Sequence, residues 1–117
     1  MFLIKINGAR VPEAKGFSFE GARDKIHQAM VTVAGGALWG ANREISVKFM
    51  GEHSTKEDLI TAEIDCLYTD VLSRSDEFTT ALLEKLCQLF EESDVLVLFK
   101  HDGRTLSQAR ASAKEAC

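Results

Sequence analysis

The sequence predicts an α+β domain with a three-stranded sheet and three main helices in the order β-α-β-α-α-β, closed by a short C-terminal helix. Two stretches alternate apolar and other residues with the period of a strand, and a third is a continuous apolar run of strand length. Three further stretches carry apolar residues at 3.6-residue spacing, which indicates amphipathic helices. The chain has 117 residues and is expected to form one domain over residues 1–117.

The first half of the chain is predicted to form a strand, a helix and a second strand. In "FLIKIN", Phe2, Ile4 and Ile6 fall on one face, which is typical of a half-buried strand. Ser18 is placed to cap the following helix, and Gly35 is placed to end it, because glycine adopts the left-handed conformation without a Cβ penalty. "EISVKFM" alternates again and predicts the second strand.

The second half is predicted to form a helical hairpin and the last strand. Ser54 and Glu57 have the spacing of a capping box, which predicts a helix over about residues 56–72. The next helix follows "RSD" and ends near Glu92. "DVLVLFK" predicts a strand covered on both faces, which places it centrally in the sheet. "LSQARASAKEA" contains good helix formers and predicts the short terminal helix.

One part of this pattern resembles a known family. The succession "EISVKF" then "TKEDLITAEI", after a β-α opening, is similar to the strand and acidic helix of DinI-like proteins. These are small modulators whose acidic helix imitates single-stranded DNA. The likeness covers about a third of the chain, and the second helix of the hairpin and the third strand lie outside it.

The acidic residues are concentrated in the predicted hairpin. The whole chain has a net charge of −4. Residues 51–99 contain three Lys or Arg against twelve Asp or Glu, a balance of −9, while residues 1–50 and 100–117 are basic at +3 and +2. The net charge therefore hides an acidic middle segment between two basic ones.

Helical spacing predicts that these carboxylates form rows. Glu77, Glu84 and Glu91 recur every seven residues, which aligns them at about 10.5 Å intervals on the side opposite the apolar stripe of their helix. Asp58 and Asp65 have the same spacing on the predicted preceding helix. Like charges on one stripe repel, so the rows are either a solubilising surface or a surface kept for a basic partner.

The function predicted from these rows is non-catalytic binding of a protein that has a basic surface. The predicted contact residues are Asp58, Asp65, Glu77, Glu84 and Glu91. A small inhibitor, of the kind that neutralises a toxin or a defence protein, could use the hairpin to occupy a surface of its target that faces nucleic acid. Direct nucleic-acid binding is disfavoured, because the pI is about 5.3 and the basic residues are dispersed.

The alternative is a small-molecule site or a small enzyme near His101 and Asp102, at the end of the last strand. A turn explains the same residues, because Asp-Gly suits turns on conformational grounds alone. The three histidines show no metal-ligand spacing, and no nucleotide-binding or nucleophile motif is present. No enzyme activity, metal or cofactor is therefore expected.

The sequence also predicts where the protein is located and whether it forms a dimer. No apolar run has the length of a membrane span or a signal peptide, so a cytoplasmic protein with three reduced cysteines is expected. A homodimer is a further expectation, either through the strand "FLIKIN", in which only Lys5 opposes edge pairing, or through the basic residues.

Overall fold

The structure is a computed structural model that describes residues 2–8, 18–35, 45–50, 59–67, 69, 71–91 and 93–112. It contains five strands, two α-helices and a single 3₁₀ turn in these parts of the chain. In chain order they are β1 (Phe2–Asn7), α1 (Phe19–Val33), β2 (Ile45–Phe49), β3 (Leu59–Cys66), the 3₁₀ turn Leu72–Arg74, α2 (Ser75–Leu89), β4 (Asp94–His101) and β5 (Arg104–Ala111).

The strands form one mixed sheet in the order β2-β1-β3-β4-β5. β1 is parallel to β2 and β3 is parallel to β4, whereas β1/β3 and β4/β5 are antiparallel. A parallel pair needs a long crossover connection, and here α1 joins β1 to β2 and α2 joins β3 to β4. The architecture is therefore α+β with two helix-linked parallel pairs and a C-terminal hairpin.

Both helices pack on one face of this sheet. Phe2, Ile4 and Ile6 of β1 are fully buried, as the alternation predicts, and so are Ile26 and Met30 of α1. Leu82 and Leu86 bring the inner side of α2 into the same core. The rings of Phe2, Phe78 and Phe99 lie 5.2 to 6.1 Å apart by centroid and join β1, α2 and β4 at its centre.

The predicted three-stranded sheet with a helical hairpin is wrong, because residues 59–66 form β3. Ile60, Ala62 and Ile64 are fully buried on the helix side of the sheet, and the residues between them point to the other side. The apolar residues of this segment fit a period of two as well as a period of 3.6. Pairing with β1 and β4 selects the strand. The likeness to an acidic helix of DinI-like proteins fails for the same reason.

The predicted C-terminal helix is also wrong, because residues 104–111 form β5. Asp102 and Gly103 have φ values of 52° and 77°, the left-handed geometry of a two-residue hairpin turn. This turn brings β5 alongside β4. The helix propensity of the alanines is weak beside a ladder of backbone hydrogen bonds in an eight-residue strand.

Other predictions are confirmed or fall outside the described residues. The Ser18 hydroxyl caps α1 by accepting a 3.0 Å hydrogen bond from the Gly21 N–H, and Gly35 has a φ of 105° at the end of the helix. The capping box at Ser54 and Glu57 lies outside the described residues. β1 pairs on both sides, so it offers no free edge for the predicted dimer.

The sheet face that points away from α1 and α2, called the open face below, has no described helix on it. Among the described residues, helices therefore cover β4 on one face only, whereas its apolar sequence predicts cover on both faces. Every side chain of β1, β3 and β4 on the open face is partly exposed. These residues are Leu3, Lys5, Asn7, Leu59, Thr61, Glu63, Asp65, Asp94, Leu96, Leu98 and Lys100.

Candidate partner-binding surface

The outward side of α2 carries the best-defined group of predicted contact residues. Glu77 and Glu84 are exposed on this helix, and Glu91 is exposed in the turn that follows it. The opposite side of α2 is fixed in the core through Phe78, Leu82 and Leu86, all fully buried. The acidic side is thus displayed by a helix whose orientation the core determines.

Glu77 forms an ion pair at the start of α2. The Arg74 guanidinium donates a 2.8 Å hydrogen bond from Nε to Glu77 Oε2. The same guanidinium donates to the backbone carbonyl of Val33 at the end of α1, and it lies 5.9 Å from the centre of the Phe78 ring. Arg74 therefore ties the end of α1 to the start of α2 and also reduces the negative charge at this end of the acidic row.

These contacts shift both pKa values in the direction that favours the charged forms. The hydrogen bond from Arg74 is the largest cause of the lowered pKa of Glu77, and the hydrogen bond to Glu77 is the largest cause of the raised pKa of Arg74. Both side chains are substantially exposed, at 39% for Arg74 and 57% for Glu77. The pair is consequently screened by solvent and by salt.

We expect Glu77→Gln to lower the stability at neutral pH and to have no such effect in acid. A pKa depressed in the folded state contributes stability above the ordinary value of 4.5, and the contribution is lost as the pH falls through the folded value. Urea unfolding of both chains across this pH range measures the difference. In an Arg74→Gln background the pH-dependent difference should vanish; if it persists, another group lowers the pKa of Glu77.

Glu84 lies in an open groove between α1 and α2. The groove has a volume of about 380 Å³ and is lined by Lys25 and Gln28 from α1 and by Lys85 and Gln88 from α2, among others. Two lysines therefore share the groove with this carboxylate. Residues 71–91 carry four carboxylates against two basic side chains, a net −2. The surface of α2 is acidic but less so than the sequence pattern predicts.

Of the two other predicted contact residues, Asp65 lies in the described part of the chain, and it does not join this surface. Asp58 lies outside the described residues. Asp65 belongs to β3 and points to the open face, where its carboxylate lies 3.8 Å from the Lys5 ammonium of β1. The sheet separates Asp65 from α2, so the prediction of two parallel acidic rows on one hairpin is wrong.

The open face carries a pair of ion pairs that sequence reasoning missed. Besides Lys5 and Asp65, the Lys100 ammonium of β4 donates a 3.0 Å hydrogen bond to the Glu63 carboxylate of β3. The signal was present in "LITAEIDC", where Glu63 and Asp65 alternate with buried residues as strand positions do. Reading this segment as a helix assigned both acids to the wrong surface.

His101 and Asp102, the residues of the alternative site, have structural positions in the β4–β5 hairpin. His101 Nδ1 lies 2.7 Å from the carbonyl oxygen of Cys66, a distance at which the ring N–H donates to it. Asp102 occupies the left-handed position of the turn. The hairpin accounts for both residues, and neither contact indicates a ligand. The expectation that the chain is not an enzyme stays a prediction.

Metal and membrane features were sought in the same described ranges. They contain no cluster of three or more metal-ligating His, Cys, Asp or Glu side chains. None of their helices has the length and apolar character needed to cross a membrane. Cys66 is buried and Cys87 is partly buried.

Comparisons with known protein families, with curated proteins and with solved structures found no match.

Proposed function

We propose that the protein is a non-catalytic binding protein that presents the outward side of α2 to a basic surface of a protein partner. The observation that carries this proposal is the exposure of Glu77, Glu84 and Glu91 along one well-anchored helix and the turn after it. Complementary potentials accelerate encounter and favour one orientation of the partner. Contact by three carboxylates needs no enclosed cavity, which agrees with the open shape of the groove beside Glu84.

The partner chemistry that fits best is a cluster of Lys and Arg on a protein surface. A finer form of the proposal is that this cluster normally contacts nucleic acid, so that the protein acts as an inhibitor. The support is chemical: exposed carboxylates can satisfy the same Lys and Arg side chains that bind phosphates. Competition by a short duplex DNA for the partner distinguishes this form from binding at an unrelated basic surface.

The test begins with a partner captured by the tagged protein from its own cells, then identified and purified. Changing Glu77, Glu84 and Glu91 together to lysine should abolish binding. The sharper variant is Glu84→Lys with Glu91→Lys, because it leaves the structural contact between Arg74 and Glu77 intact. We expect this variant to raise the Kd for the partner at least about tenfold. The dependence of that Kd on salt concentration should also decrease.

A matched control changes charge by the same amount on the other helix. Glu20→Lys with Asp24→Lys replaces two exposed carboxylates of α1 and should change the Kd far less. Circular dichroism and thermal melting establish that both double variants fold. If both double variants bind the partner with the affinity of the native chain, the carboxylates of α2 do not bind the partner and serve only to keep the protein in solution.

A further inference from the structure

The groove between α1 and α2 contains positive charge that contact with a basic partner does not use. Lys25 lines it from α1 and Lys85 from α2, and Glu84 is the one carboxylate among the described residues around it. The groove therefore has a net charge of +1. The other charged residues of α2, Asp76 and Glu77, are acidic, so the groove interrupts an otherwise negative helix surface.

Neither lysine of the groove forms an ion pair with a carboxylate in the described parts of the chain. Lys85 is only partly exposed, and its ammonium donates a 3.2 Å hydrogen bond to the side-chain oxygen of Gln88. That oxygen is neutral, so the bond holds the ammonium beside the groove without compensating its charge. Pairing of either lysine with Glu84 would remove this carboxylate from contact with a partner.

A partner that contacts Glu84 also covers the groove, because this residue lines it. A specific interface buries about 800 Å² on each partner, whereas packed helices lie only about 8 to 10 Å apart. Contact with Glu84 would therefore remove water from Lys25 and Lys85 as well. An ammonium group that loses water without gaining a counter-charge destabilises the complex. A partner with basic side chains alone would leave both lysines in this state.

We propose that the partner's surface carries one Asp or Glu side chain among its Lys and Arg side chains, and that this carboxylate enters the groove between Lys25 and Lys85. The inference rests on the function proposed above. Gln88 contributes to recognition, because its oxygen accepts from Lys85 and its NH₂ group is left to donate to the same carboxylate. The partner's basic side chains remain available to Glu84 and Glu91. This surface therefore selects a mixed pattern of charge rather than the highest positive charge.

The first test determines whether the two lysines favour or oppose binding of the purified partner. Lys25→Gln with Lys85→Gln removes both ammonium groups from the groove. If negative charge alone attracts the partner, this variant should bind it more tightly, because two repulsive charges are gone. We expect the opposite result, a Kd raised at least about tenfold, because the partner's carboxylate loses both counter-charges. An unchanged or lowered Kd overturns the proposal.

A matched control removes two positive charges away from the groove. Lys48→Gln with Arg104→Gln changes exposed residues of β2 and β5 and should leave the Kd within about twofold of the native value. A rise equal to that of the groove variant would place the effect outside the groove and overturn the proposal. Thermal melting checks that both variants fold. Failure of the proposed function gives a different result, because Glu84→Lys with Glu91→Lys then leaves the Kd unchanged.

A second test replaces the partner by two synthetic peptides, "KKEKK" and "KKQKK", with acetylated and amidated ends. Attraction to negative charge alone favours "KKQKK", which has the higher positive charge, whereas the groove should favour "KKEKK". We expect "KKEKK" to bind at least about threefold more tightly at low ionic strength, as measured by NMR shifts of the α1 and α2 amides. Lys25→Gln with Lys85→Gln should abolish this preference. Equal or tighter binding of "KKQKK" overturns the inference alone, and binding of neither peptide overturns it together with the proposed function.

Discussion

Val97→Asp is expected to prevent folding. Val97 is fully buried on β4, where it faces the helices in a strand flanked by β3 and β5. Burying a carboxylate without a partner costs several kcal/mol, and the net stability of a domain of this size is only about 5 to 15 kcal/mol. Circular dichroism and urea unfolding of the purified variant should show no cooperative transition.

Leu98→Asp, one residue further along β4, is the matched control. The sequence predicts that both positions are covered, whereas the structure places Leu98 on the open face with part of its side chain in solvent. An aspartate there can remain hydrated, so this variant should fold and unfold cooperatively. If Leu98→Asp also fails to fold, the open face is covered in the folded protein. Cooperative melting of Val97→Asp would contradict the placement of this β4 side chain in the core.

The elements that the sequence predicted correctly are those with one unambiguous periodicity. β1 and β2 alternate, and α1 and α2 carry apolar residues at helical spacing, so local pattern and tertiary packing agree. The long apolar run of β4 identified a strand in the interior of the sheet. It did not reveal that both described helices would pack on the same face, because that depends on which side of the sheet the two crossovers take.

β3 was mispredicted because its sequence satisfies two periods. Ile60 and Ile64 are four residues apart, as on a helix, and with Ala62 they also alternate, as on a strand. The deciding interactions are long-range, since β3 pairs with the first strand of the chain and with β4 beyond α2. No local signal contains that information. The sequence of β5 is similarly ambiguous, and its strand forms because the Asp-Gly turn returns the chain along β4.

The error in β3 also changed the candidate surface. Glu77 and Glu84 were assigned to a helix that exists, so their outward orientation follows from the pattern. Asp65 was assigned to a helix that does not exist, and it lies on the opposite side of the sheet with Lys5 as its neighbour. Partner binding is therefore proposed for α2 alone. The basic residue that pairs with Asp65 is Lys5 of the same chain.

A second large effect is expected from Gly8→Ala at the end of β1. Gly8 has a φ of 85°, which an alanine adopts only with strain, and a Cβ added there would overlap the backbone carbonyl oxygen of Leu59. That oxygen belongs to the first residue of β3, which pairs with β1. Relief of the overlap would require the two strands to separate locally.

Gly35→Ala isolates the contribution of this overlap. Gly35 also has a positive φ, 105°, but a Cβ added there would meet no atom within 4 Å. Its substitution should cost about 1 to 2 kcal/mol for backbone strain alone, whereas Gly8→Ala should exceed that cost by about 1 to 3 kcal/mol. Urea unfolding of both variants measures the two differences. Equal losses would mean that β3 can move away from Gly8 without cost, which would contradict its pairing with both β1 and β4.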